Sequence, residues 1–102
     1  MAIIRCCSYE VGIKTPVNPS IYSKILVTFS QNGRQIIVKE KADLSLLSDG
    51  VKVRLSQAET EQFNAPGVAM LQFRAYSSIY NAPGSRMWAI DVYPTNNERI
   101  LT

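Results

Sequence analysis

"VRLSQAETEQFNAPGVAMLQFRAY", residues 53–76, joins two strand-like patterns through a short helical one. At its start Val53 and Leu55 alternate with Arg54, and at its end Ala69, Leu71, Phe73 and Ala75 alternate with Gln72, Arg74 and Tyr76. Strict alternation puts one apolar row on one side of an extended chain, so both ends read as strands. Between them Ser56-Gln57-Ala58-Glu59 has the form of a helix start. The Ser56 hydroxyl is spaced to accept from the Glu59 N–H while the Glu59 carboxylate reaches back to the Ser56 N–H, a reciprocal structural cap. A turn of residues 57–63 is too short to stand alone and needs Phe63 and Leu55 packed on a core. It reads as a connector from one sheet to another, since neighbours two apart on a helix, such as Glu59 and Glu61, do not face each other as a catalytic pair would.

The strand at 68–76 is expected to be central, and other strands flank it on both sides. Ile3 to Cys7 reads as a short first strand. Tyr9 to Tyr22 holds Gly12, Pro16, Asn18 and Pro19 and reads as a loop or irregular edge. Lys24 to Ser30 puts Ile25, Val27 and Phe29 on one face, and Asn32-Gly33 predicts a type I′ hairpin turn, because both residues accept positive φ. Arg34 to Glu40 returns, with Ile36 and Val38 sharing a face. In Lys41 to Gly50 the residues Leu44, Leu46 and Leu47 are expected to cover an open end of the core, and Val51 to Leu55 is again one-sided. Ser77 to Arg86 is a long hairpin connection, followed by Met87 to Tyr93 with Trp88, Ile90 and Val92 inward. Asn-Ala-Pro-Gly occurs at 64–67 and at 81–84, which is shared turn chemistry. The tail from Thr95 is polar and then apolar, suited to docking on its own fold or on a neighbour.

Together these predict one all-β domain over residues 1–102, an antiparallel immunoglobulin-like β-sandwich of about seven strands with one helical turn, a partly open barrel being the alternative. The chain has 46% apolar and 19% charged residues, as a globular protein does. Its net charge of +3 comes from 11 basic and 8 acidic residues scattered along the chain, so nucleic acid is not an expected partner. Cys6 and Cys7 are adjacent; on a strand they would point to opposite faces, so they read as reduced, one buried and one near the surface. A vicinal redox pair lacks any feature that would lower a thiol pKa. No signal peptide and no membrane-spanning run are read in the sequence.

The chemistry of catalysis is thin. There is no histidine, which removes the commonest general base and a favoured metal ligand. No metal-ligand spacing and no phosphate-binding glycine loop occur, so neither an enzyme nor a cofactor is expected. Five tyrosines offer a different use, a sugar or protein surface.

Leu55, Ser56, Gln57, Glu59 and Thr60, then Phe63, then Leu71, Gln72, Phe73 and Arg74 form a pattern that resembles a group of small proteins encoded among the structural genes of bacteriophages and prophages of Gram-positive bacteria. "MAIIRC", "ILVTFSQNGRQIIVKE" and "NNERIL" share the likeness, so it covers most of the chain. A more distant resemblance is to the immunoglobulin-like N-terminal domain of phage baseplate upper proteins. The Ser77 to Arg86 loop is longer than that group's hairpin. The resemblance implies a non-enzymatic virion or adaptor protein that contacts other phage structural proteins or further copies of itself. It would be assembled in the host cytoplasm, with its place in the finished virion left open. Arg74, Tyr76, Tyr80 and Arg86 on the long hairpin and Ile100 and Leu101 in the tail are the candidate contacts, because Arg and Tyr anchor interfaces. A carbohydrate-binding module using exposed tyrosines and a single-stranded nucleic-acid binder are the alternatives.

Overall fold

The structure is a computed structural model that describes residues 2–15, 18–76 and 84–94, with the side chains of 84 and 85 excepted. Pro16, Tyr80, Ile100, Leu101, most of the second Asn-Ala-Pro-Gly and the tail from Thr95 lie outside the described residues. Among those described, eight strands form two sheets. They are β1 (Ala2–Ile4), β2 (Tyr9–Lys14), β3 (Lys24–Gln31), β4 (Arg34–Glu40), β5 (Ser45–Leu46), β6 (Gly50–Leu55), β7 (Gly67–Tyr76) and β8 (Gly84–Tyr93), with an α-helical turn, α1 (Gln57–Thr60), between β6 and β7 and 3-10 turns at Pro19–Ile21 and Lys41–Asp43. One sheet has the order β1-β8-β7-β3-β4 and the other β2-β6-β5.

The chain is all-β, and β7 is the middle strand of the larger sheet, as its alternation predicts. Ala69, Leu71, Phe73 and Ala75 are buried, as are Ile25, Val27 and Phe29 on β3 and Ile90 and Val92 on β8. Val51, Val53 and Leu55 on β6 and Val11 and Ile13 on β2 join them in one buried cluster shared by the two sheets. The Asn32-Gly33 turn has φ of +55° and +76°, the pair of positive values that the sequence requires there.

Several expectations are corrected. The larger sheet is mixed, not antiparallel throughout, because β1 runs parallel to β8, with Ile3 opposite Val92. β1 ends at Ile4, so Cys6 and Cys7 lie in a turn whose Cys7 N–H donates to the Ile4 carbonyl at 3.1 Å. Cys6 is buried and Cys7 exposed, as expected, but a turn with Cys6 at φ +64° separates them, not strand alternation. Residues 9–14 are a regular strand paired with β6 over its whole length. Gly12 does not break it, since it sits on the exposed face where no side chain is needed for packing. On β4 the core-facing residue is Ile37, opposite Phe29, while Val38 is exposed. A register shift between Phe29 and Ser30 resets the alternation, and that bulge is what the simple pattern misses. Leu46 and Leu47 are exposed at 38% and 41% and do not cover the core; Leu44 alone of the three packs against it.

The connector joins the smaller sheet to the larger one. Ser56 Oγ accepts from Glu59 N–H at 3.1 Å, and the Ser56 N–H donates to Glu59 Oε1 at 2.9 Å. Phe63 is buried edge-on to Phe29, with ring centroids 6.1 Å apart. Three long-range bonds that the sequence does not announce also fix the turn. Lys39 Nζ lies 2.6 Å from Glu59 Oε2, Thr60 Oγ1 donates to the Cys7 carbonyl at 2.8 Å, and Arg5 Nη2 donates to the Glu61 carbonyl at 3.0 Å.

Candidate interaction surface

Residues directly opposite each other in a sheet share a face, so the strand registers define what the side of the larger sheet away from the core presents. Lys24 stands opposite Tyr76, and Leu26 lies between Arg74 and Glu40. Thr28 lies between Gln72 and Val38, and Gln72 is opposite Met87. Met70 is flanked by Ser30 and Ala89; Val68 is opposite Asp91, which is opposite Ala2; Tyr93 is opposite Ile4.

This outer face is unusually apolar for a sheet side in water. Of the eight exposed large apolar residues among those described, six are on it: Ile4, Val38, Val68, Tyr76, Met87 and Tyr93. Val68 is 50% exposed and Met87 57%. A half-wet sheet normally alternates apolar inside with polar outside, and contiguous exposed apolar area marks an interaction site. The smaller sheet supplies the contrast within the same molecule. Its outer side carries Glu10, Lys14, Lys52 and Arg54, with Glu10 2.6 Å from Arg54 Nε and 3.6 Å from Lys52 Nζ. The Arg54 hydrogen bond and charge, helped by Lys52, hold the Glu10 carboxyl below its ordinary pKa. One face is therefore ordinary solvated surface and the other is not.

Four charged residues sit on the apolar face: Lys24 and Arg74 toward one end, with Glu40 beside them, and Asp91 toward the other. Their sum is zero. None of the four makes an ion pair with a described residue. An open depression of roughly 700 Å³ lies at the first end, lined by Lys24, Leu26, Glu40, Lys41, Arg74 and Tyr76.

The structure brings Arg74 and Tyr76 together on this face and separates them from Arg86. Arg86 is opposite Phe73, so it belongs to the core side and lies at the rim between the sheets, near Val11 and Ile13. Tyr80, Ile100 and Leu101 are outside the described residues. Reading β7 and β8 only for their inward rows misses Val68, Met70, Met87 and Ala89. The available signal is the near-continuous apolar runs Val68-Ala69-Met70-Leu71 and Met87-Trp88-Ala89-Ile90, the pattern of strands covered on both faces.

The described tyrosines do not form a platform. Tyr22 is buried, Tyr9 packs on the core from the smaller sheet, and Tyr76 and Tyr93 stand at opposite ends of the outer face, roughly 30 Å apart at the usual strand rise. Burial raises the Tyr9 phenol pKa, and its hydroxyl has no hydrogen-bond partner among the described residues. No three His, Cys, Asp or Glu side chains converge among the described residues. No protein-family model matches the sequence, and no curated protein or solved structure matches it.

Proposed function

We propose that the protein is a non-enzymatic structural or adaptor component of a phage or prophage particle, acting through protein–protein contacts made by the outer face of its five-stranded sheet. The observation that carries this reading is the gathering of six of the eight exposed large apolar residues on one side of one sheet, while the other sheet turns charge to the solvent. The sequence resemblance supplies the phage context. An immunoglobulin-like sandwich suits the size of the chain and its single buried cluster over two sheets, with the parallel β1–β8 edge as a departure. No described helix is long and apolar enough to cross a membrane. Arg74 and Tyr76 remain the sequence-predicted contacts that this surface uses, joined by Val68 and Met87.

Co-expression with the products of the flanking genes tests the reading. Wild type should co-elute with one of them in size-exclusion chromatography, and Val68→Glu and Met87→Glu should not, while their circular dichroism stays that of wild type. Equal co-elution by the folded variants overturns the assignment of the surface.

A further inference from the structure

The distribution of charge on the outer face names a partner. The geometry points to a second copy of this chain, packed face to face through a two-fold axis that lies across the strands over Leu71; this rests on the reading of that face as a docking surface. In β7, Arg74 and Val68 are three positions to either side of Leu71, and Asp91 is opposite Val68. Rotation about such an axis turns the row of Arg74 onto the partner's row of Val68 and Asp91, so each dimer makes two equivalent Arg74–Asp91 contacts, as an isologous interface must. Within one chain the two side chains cannot meet, since their rows are roughly 20 Å apart at the usual strand rise.

The same operation pairs the remaining rows. Gln72 falls against the partner's Met70 and Thr28 against its Ser30. Met87 falls against Ala89, a long side chain over a short one, which lets two sheets interdigitate at the spacing of aligned sheet packing. At the ends Tyr76 meets the row of Tyr93 and Ile4. Glu40 offsets Lys24 near the rim, so the face opposes its own image without net charge, and the chain's overall +3 adds only screened repulsion. A partner of a single strong charge would leave either Arg74 or Asp91 facing its own sign. A copy of the chain does not.

Sedimentation velocity of the full chain over a concentration series is the test. Wild type is expected to show a monomer–dimer equilibrium. Arg74→Glu and Asp91→Arg, taken separately, each turn two attractions into two repulsions and should weaken the dimer about tenfold or more. An equimolar mixture of the two variants should dimerise as wild type does, because both contacts are then opposite in sign. That rescue also shows both variants to be folded. Failure of the mixture to recover, or wild type that stays monomeric at every concentration, overturns the second copy as partner. If the full chain is monomeric and a chain lacking residues 96–102 dimerises, the tail occupies the face and the proposal falls. The docking reading is judged apart: a monomeric wild type that co-elutes with a flanking-gene product, and loses it on Val68→Glu, removes only the self-association, whereas retention by Val68→Glu removes both.

Discussion

The side-chain amide of Gln31 brackets the backbone of Asn64. Its Oε1 accepts from the Asn64 N–H at 2.7 Å and its Nε2 donates to the Asn64 carbonyl at 2.7 Å. Gln31 ends β3 and is 4% exposed, so one buried amide satisfies both polar groups of a residue 33 positions away, in the turn that returns the chain to β7. Gln31→Leu keeps the bulk and leaves both Asn64 groups unpaired. It should cost about 2–4 kcal/mol, since each orphaned partly buried group costs on the order of 1–3 kcal/mol. Urea unfolding at pH 7 measures this. A loss below roughly 0.5 kcal/mol, the error of the extrapolation, would mean that water replaces the amide without penalty.

Glu59 answers to two elements at once, capping α1 through Ser56 and pairing with Lys39 on β4. Burial pushes its carboxyl pKa up, but the Lys39 ammonium and the Ser56 N–H outweigh burial and hold it below the ordinary carboxylate value. A depressed folded pKa means that the unfolded chain binds the proton more readily. The stabilisation is thus fully present above the unfolded carboxyl pKa and lost as pH falls through the folded one. Glu59→Gln should be less stable than wild type at pH 7, with the gap closing by pH 3. Comparing the two unfolding midpoints at each pH isolates Glu59 from Glu10, whose pKa is lowered too. Ser56→Ala should cost about 1 kcal/mol at pH 7, the ordinary loss for a helix cap.

Tyr9 presents the opposite case, a hydroxyl without a partner among the described residues. Tyr9→Phe removes it while keeping the ring on the core. The variant should match or exceed wild-type stability by up to about 1 kcal/mol, because an unsatisfied buried polar group opposes folding. Thermal unfolding decides it, and a clear fall in midpoint would reveal a bond to solvent or to an undescribed residue.

Two glycines should respond differently to alanine. At Gly33 nothing lies within 4 Å of an added Cβ, and the cost is that of φ +76° alone, about 1 kcal/mol. At Gly50 an added Cβ would collide with the Ile13 carbonyl oxygen on the neighbouring strand. Backbone must then move, and the loss should be at least about 2 kcal/mol. Equal losses in urea titrations would show that β2 and β6 separate there at little cost.

Features that close within a few residues are legible in the order of the amino acids alone. Asn32-Gly33 can turn only one way between two strands, Ser56 and Glu59 satisfy each other across three positions, and the inward rows of β3, β6, β7 and β8 follow from alternation, because these choices need no partner from elsewhere. Other features depend on contacts between distant segments. Pairing with β6 makes a strand of Tyr9–Lys14 despite Gly12, and docking on β8 sets β1 parallel. The bulge at Phe29 and Ser30 turns Ile37, not Val38, to the core. Whether Val68, Met70, Met87 and Ala89 are core or surface depends on what lies above them; their apolar runs announce a covered face but not what covers it. An apolar row is buried by its neighbours, and neighbours are chosen by the whole chain.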